Sequence, residues 1–330
     1  MSKIIRWGIL GAGSIAKKFA ADLQYVQNAK LVAVGSRTQE TADAFADLFA
    51  IEKRYSSYLQ LVEDKDIDII YIATPHILHH ENTLLCLQHH KAVLCEKPFA
   101  INQKQVIEMI QLAKEKKIFL MEALWSRFLP HFIKLKELLA QGLIGEVTAL
   151  QANFGFKTSA DSNKRLTEIE LGGGTLLDIG IYNIFFALHI LGNPDDMEVA
   201  MVPNASGADE QCAITFHYNN GAVAQLFSTF KANIPIDLQI FGTKGNIKLT
   251  QRFYEPSGTI QFSTDGGKNY ELIEVEKTKG IGYEYEAQHA TDCLLAGKIE
   301  SDLMSFEESL VLIKLLDQVR AKGGLAYPQD

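Results

Sequence analysis

Apolar residues follow two rhythms along this chain, and the change from one to the other comes after Pro130. Before it, short apolar runs alternate with stretches whose apolar residues recur at helical spacing. The runs at 4–10, 30–35, 68–73, 92–95 and 118–121 read as strands. The patterns at 14–26, 41–50 and 102–116, and one running through Cys86 to His89, read as helices. Strands separated by helices of this length predict βαβ units and a parallel sheet. Beyond Pro130 a helix over 131–140 stops at Gln141-Gly142. Period-two segments then dominate, at 146–156, 211–218, 222–230, 237–241 and 246–250. Turns such as Asn219-Asn220-Gly221 and Thr243-Lys244-Gly245-Asn246 point to antiparallel hairpins. One helical insert at 175–191 interrupts this sheet, and helical patterns at 285–296 and 306–322 close the chain. The expected organisation is an α/β domain with a parallel sheet over residues 1–122. An α+β domain with a large, mostly antiparallel open sheet follows over 123–330, its last helix free to pack back on the first.

Composition narrows the function classes. With 330 residues, 47% hydrophobic and 22% charged, the chain has the balance of a globular protein of two domains. A net charge of −8 without any basic cluster argues against nucleic-acid or anionic-membrane partners. Residues 1–6 lead straight into a strand without the apolar stretch of a signal peptide. No apolar run reaches the roughly twenty residues that span a bilayer, so a cytoplasmic location is expected. Cys86, Cys95, Cys212 and Cys293 are scattered without a C-x-x-C pair, which favours small core residues over a disulfide framework or a zinc site.

The chemistry concentrates at strand ends. Gly11-Ala12-Gly13-Ser14-Ile15-Ala16 follows the first strand and opens a helix, giving G-x-G-x-x-A. Gly11 allows the tight turn, Gly13 admits a pyrophosphate close to the backbone, and Ala16 permits close helix–sheet packing. The helix start then offers free N–H groups to phosphate oxygens, so a Rossmann dinucleotide site is expected. At the end of the second strand, where an NAD site carries Asp or Glu, the chain reads Gly35-Ser36-Arg37-Thr38. A carboxylate would repel a 2′-phosphate, whereas Arg37 pairs with it and Ser36 and Thr38 donate hydrogen bonds. NADP is therefore expected over NAD, the other reading being a solvated surface arginine. Glu96-Lys97-Pro98 follows the run 92–95, so Lys97 emerges at the carboxyl edge where open α/β sheets bind ligands. Pro98 biases Lys97 toward extended backbone.

Together with Ala73-Thr74-Pro75-His76, these motifs resemble those of the Gfo/Idh/MocA family of NAD(P)-dependent sugar and polyol oxidoreductases, over nearly the whole chain. Met121-Glu122-Ala123-Leu124-Trp125-Ser126-Arg127-Phe128 and the stretch Gly172 to Tyr182 look most like the branch that oxidises dihydrodiols and D-xylose. The resemblance implies that Lys97 is catalytic and that Asp178 and Tyr182 form the family's D-x-x-x-[HY] pair, at i and i+4 on a helix. Many members carry histidine where this chain has Tyr182, and the family often reads T-P-N where it has Thr74-Pro75-His76. It also implies cofactor contacts along Gly11–Ile15, Ser36–Thr38, Ala73–His76, His79 and Glu96–Pro98. Substrate contacts would fall on Lys97, Trp125, Arg127, Phe154 and Tyr182. A homodimer through the second-domain sheet is expected, with no metal, although His76, His79 and His80 have helix-compatible spacing.

Oxidising a carbinol removes a hydride and the hydroxyl proton together. A free tyrosine, with a pKa near ~10, is a poor base, but a nearby ammonium favours its phenolate. The expected scheme makes Tyr182 the acid/base, Lys97 the group that tunes it and orients the hydroxyl, and Asp178 the positioner. The plain alternative for Tyr182 is a ring packed on the sheet. For Trp125 and Phe154 it is a core position, and for Arg127 a surface cation. The rival function is a catalytically silent, cofactor-binding regulator of sugar metabolism, which would not need the set Lys97, Asp178 and Tyr182.

Overall fold

The structure is a computed structural model describing residues 3–159 and 163–330. The opening Met1-Ser2 lies outside the described residues. The chain divides into two compact units. One comprises Met1–Phe128 with Thr278–Ile313, the other Leu129–Lys277 with Lys314–Asp330.

In the first unit six strands form one sheet: β1 (Ile5–Leu10), β2 (Ala29–Gly35), β3 (Lys53–Tyr55), β4 (Ile69–Ile72), β5 (Ala92–Glu96) and β6 (Leu120–Ala123). All pairings are parallel, in the order β3-β2-β1-β4-β5-β6. Every residue of β4, β5 and β6 is buried, which is why these strands read as continuous apolar runs rather than as alternation. The strand order reverses between β1 and β4, the place where such sheets open a ligand crevice. β3 and the helix Tyr58–Glu63 left no clear periodic signal, because β3 is a three-residue edge strand of half-buried residues.

A single boundary near residue 122 does not describe this division, since residues 278–313 return to the first unit. Specific bonds hold them there. The Asp22 carboxylate accepts the amides of Ile281 and Tyr283, both at 2.9 Å to Oδ2, at the start of the helix Tyr283–Leu295. Trp7 Nε1 donates to Thr291 Oγ1 at 3.3 Å, and the Leu120 amide to the Ile299 carbonyl at 3.1 Å.

The second unit is built on eight strands: β7 (Val147–Gly155), β8 (Asp196–Pro203), β9 (Asp209–His217), β10 (Val223–Thr229), β11 (Asp237–Gly242), β12 (Asn246–Thr250), β13 (Thr259–Ser263) and β14 (Glu271–Ile273). Their order is β14-β13-β12-β11-β7-β10-β9-β8, antiparallel except where β7 meets β10. Leu150, Ala152, Ala224 and Leu226 alternate onto the buried face, which carries the helix Ile181–Leu191. Gln151, Asn153, Thr215 and Gln225 alternate onto the other.

The helix expected over 175–191 appears in two parts, a π-helical turn Leu176–Gly180 and the α-helix Ile181–Leu191. Contrary to the sequence expectation, Ile169–Leu191 is long and apolar enough to cross a membrane by length and composition. Its most apolar window is 78% buried inside the protein, which accounts for that composition as core.

Candidate active site

Around the β1/β4 switch point, the glycine loop has the shape its motif demands. Gly11 takes φ +101°, and its amide donates to the Gly35 carbonyl at 2.9 Å. A Cβ there would lie 2.9 Å from the Ala73 carbonyl oxygen, so the loops after β1 and β4 touch at a glycine. Gly13 is different. Its φ is −79° and a Cβ would meet nothing within 4 Å, so the protein's own packing does not require glycine there. Gly13 precedes the helix Ser14–Leu23, which has no side-chain cap and whose first N–H groups remain available. Open space in front of uncapped N–H groups fits a pyrophosphate. Ala16 is fully buried at the helix–sheet contact.

At the end of β2, Ser36 is buried with its amide on the Tyr55 carbonyl at 3.0 Å. Thr38 caps the helix Gln39–Phe49, accepting the Thr41 amide at 3.2 Å, so its hydroxyl already has a structural task. Arg37 is exposed and makes no hydrogen bond or ion pair among the described residues. Its positive charge reaches Tyr58, where it opposes the upward push of burial on the phenol pKa.

His79 ties two crevice loops together. Its ring is fully buried, with Nδ1 2.7 Å from the Pro98 carbonyl and Nε2 2.9 Å from the Thr74 carbonyl. Both neighbours are acceptors, so the ring serves the backbone of Thr74-Pro75 and Lys97-Pro98. The His76 ring lies edge-on to it at 5.7 Å. Thr74 Oγ1 accepts from Asn82 Nδ2 at 3.2 Å.

Lys97 is half-buried at the end of β5, and its peptide bond to Pro98 is cis. The support beneath it is acidic. Glu96 is buried, accepts the Lys97 amide at 3.2 Å through Oε2, and takes the Tyr71 hydroxyl through Oε1. The next loop residue is pinned by Glu122 on β6, whose Oε1 accepts the Phe99 amide at 3.1 Å. Glu286 lies fully buried, with neither oxygen hydrogen-bonded among the described residues; burial, reinforced by the charges of Glu96 and Asp22, raises its carboxyl pKa well above the ordinary value. Trp125 is buried and stacks on Tyr283, ring centres 4.5 Å apart, while Arg127 faces Glu308 at 3.8 Å.

In the second unit, Asp178 lies in the π-helical turn and Tyr182 in the first turn of the α-helix after it, both buried. A regular α-helical i, i+4 relation therefore does not describe the pair. Arg165 Nη1 donates to Asp178 Oδ1 at 3.1 Å. The Tyr182 ring packs 4.8 Å from Tyr254 and 6.0 Å from Phe154, and Tyr254 stacks on Phe154 at 4.4 Å. Phe154 thus shares one aromatic cluster with Tyr182. Burial, with help from the charges of Glu255 and Asp178, pushes the Tyr254 phenol well above its ordinary pKa, so it stays protonated. Sequence patterns did not single out Tyr254 or Arg165, because both lie outside any recognisable motif.

Asp209 anchors the start of this helical segment. Its Oδ2 accepts Thr175 Oγ1 at 2.6 Å and the Leu176 amide at 2.8 Å, and Tyr327 Oη donates to the Gly173 carbonyl at 2.8 Å. The glycine run is needed here. Gly174 takes φ +126°, and a Cβ on it would fall 2.1 Å from Asp209 Oδ1.

Residues 5–124 match the oxidoreductase family described as having an NAD-binding Rossmann fold, and residues 132–248 match the GFO/IDH/MocA C-terminal domain. Trans-1,2-dihydrobenzene-1,2-diol dehydrogenase of Xenopus tropicalis is 36% identical over 98% of this chain and 99% of its own length. The human protein of that name is 34% identical over 99% of both. Among solved structures, aldose-aldose oxidoreductase of Caulobacter crescentus, complexed with glycerol, superimposes with TM-score 0.88 at 22% identity over 98% of both chains. A 3-ketoreductase of Actinomadura kijaniata, complexed with NADP and TDP-benzene, gives 0.87 at 24% identity over 97% of this chain and 98% of its own. With matches to both domain families and full-length relatives above 30% identity, the chain belongs to the Gfo/Idh/MocA family of oxidoreductases with an NAD(P)-binding Rossmann domain.

Proposed function

We propose that this protein transfers a hydride between NADP and a secondary hydroxyl of a cyclic trans-diol or sugar, with Tyr182 as acid/base and Lys97 and Asp178 assisting. The cofactor reading rests on Arg37, an exposed guanidinium with no hydrogen bond or ion pair among the described residues, at the end of β2, where an NAD site would carry a carboxylate. In that reading Arg37 takes the 2′-phosphate, and the Gly11–Ile15 loop takes the pyrophosphate. Ala73–His76 and Glu96–Pro98 line the nicotinamide side of the crevice.

The substrate reading is supported by the full-length likeness to dihydrodiol dehydrogenases and by the Phe154, Tyr182 and Tyr254 rings. Aromatic faces suit the apolar side of a carbocycle or pyranose. When bound, the nicotinamide would accept the hydride from the carbinol carbon, and Tyr182 would take the hydroxyl proton. The Lys97 ammonium favours the phenolate before transfer and orients the hydroxyl. Trp125 and Arg127 are the proposed first-unit contacts to the rest of the substrate.

Tyr182→Phe and Lys97→Met should each cut turnover by at least about a hundredfold, the usual scale of general acid–base catalysis. Binding of NADP, read by fluorescence titration, should persist in both. Near-normal turnover in either variant overturns the assignment, and absence of any hydride transfer by the wild type across aldoses, inositols and trans-diols favours the regulator. The outward face of the second-unit sheet, with Gln151, Asn153, Thr215, Gln225 and Phe227 around a shallow depression, is the proposed surface for a second copy. Light scattering on the purified protein tests this, and a monomer would count against it.

A further inference from the structure

One set of three metal-ligating side chains converges among the described residues of the first unit, and none of the three belongs to a motif used above: His289, Cys293 and Asp302. His289 and Cys293 are one turn apart on the helix Tyr283–Leu295, and Asp302 comes from the loop that follows it. Their ligand atoms all lie within 4.8 Å of one another. His289 Nε2 is 3.4 Å from Cys293 Sγ and 3.5 Å from Asp302 Oδ1.

Those separations carry the argument. A tetrahedral zinc ion with bonds of about 2.3 Å to sulfur and about 2.0–2.1 Å to nitrogen or oxygen sets its ligand atoms roughly 3.3–3.6 Å apart. The observed N···S and N···O separations fall within that range, and the sulfur and the carboxylate lie within 4.8 Å of each other. Sulfur, imidazole and carboxylate together form a donor set for zinc or a neighbouring late first-row ion rather than for calcium or magnesium. We propose that these three residues bind one divalent transition-metal ion, Zn²⁺ in the first instance, with solvent in the fourth position.

The surroundings fit. Asp302 is exposed and gives the ion a route in, while Cys293 is buried and His289 half-buried beneath it. Lys298 Nζ engages the other carboxylate oxygen, Oδ2, at 3.2 Å, and leaves Oδ1 for the ion. Ser301 Oγ is 2.8 Å from Nε2 and also accepts the amides of Leu303 and Met304, so it is fixed in place. When the imidazole lone pair turns to the metal, that hydroxyl can donate to the metal-bound water instead. The Cys293 thiol proton leaves to buffer as the Zn–S bond forms. The ion would clip the loop through Asp302 to the helix whose His289 ring packs on Phe128, ring centres 5.1 Å apart.

The test is a titration of Zn²⁺ and, separately, Co²⁺ into the full-length, chelator-treated protein. The expected result is one equivalent bound, a thiolate-to-cobalt charge-transfer band, and a raised Tm with Zn²⁺. Asp302→Asn, an exposed and structurally mild change, and Cys293→Ser should each weaken binding more than about tenfold, a loss that even outer-shell replacements produce at metal sites. No saturable binding, a cobalt spectrum without the thiolate band, or an affinity unchanged in Asp302→Asn overturns the site.

Discussion

Tyr71 Oη donates a hydrogen bond to Glu96 Oε1, and the other oxygen of the same carboxylate accepts the amide of Lys97 at 3.2 Å. The Tyr71 phenol is fully buried, and burial and the Glu96 charge push its pKa well above the ordinary value, so it stays a donor. Its ring stacks on Phe19 at 3.7 Å, which fixes it independently of the hydrogen bond. A side chain on β4 thus sets the backbone of the lysine at the end of β5.

Tyr71→Phe keeps the stacked ring and removes the donor, leaving a buried carboxylate oxygen short of one bond. The expected cost is about 1–3 kcal/mol by urea denaturation, the usual scale for such a loss. Turnover should fall, because the backbone of Lys97 loses part of its support. Wild-type stability in this variant would show that the bond contributes nothing.

Arg37→Ala should raise the KM for NADP by roughly 10–100-fold, from the loss of a charge-assisted phosphate contact of about 1.5–3 kcal/mol. The KM for NAD should not change. Steady-state kinetics with both cofactors checks this, and equal effects on the two would place Arg37 outside the 2′-phosphate site.

Gly174→Ala should destabilise the second unit. The backbone is held at φ +126°, and the added methyl would collide with Asp209 Oδ1, so both strain and a disrupted anchor contribute. Strain at such a backbone conformation alone costs about 1–3 kcal/mol. A lower denaturation midpoint and reduced turnover are expected together, since the same anchor carries the turn holding Asp178.

Glu122→Gln should change how stability depends on pH. Burial, reinforced by the charge of Glu96, pushes the Glu122 carboxyl up to about 7 from an ordinary 4.5. The folded state therefore holds its proton where the unfolded chain has already lost it. This stabilisation is complete below pH 4.5, declines as pH rises toward 7, and is gone above it. Glutamine cannot ionise, so the difference in unfolding free energy, variant minus wild type, should increase between pH 5 and pH 8. Guanidinium denaturation at the two pH values checks the sign.

Much of the first unit was legible because its signals are local. Gly11, Gly13, Arg37 and Lys97 each follow a buried strand within a few residues, and a strand end in a parallel sheet has a predictable place. The hydrophobic runs of β4, β5 and β6 needed no long-range information either. The alternation in β7, β9 and β10 likewise marked a one-sided sheet.

What the chain could not announce depends on contacts between distant positions. Asp22 holds the start of the segment 278–313 in the first unit through the amides of Ile281 and Tyr283; the expectation that the last helix packs back did not extend to residues 278–305, and no period or motif encodes their return. That the two nitrogens of His79 lie on the carbonyls of Thr74 and Pro98 is likewise invisible in its motif. Tyr254 joins Tyr182, and Asp302 joins His289 and Cys293, only after the backbone has folded. Side-chain periodicity and strand-end motifs determined the architecture and the family, because both follow from burial over short stretches. Which polar groups meet was decided by tertiary structure, because a hydrogen bond or ligand cluster is fixed by proximity in space and not along the chain.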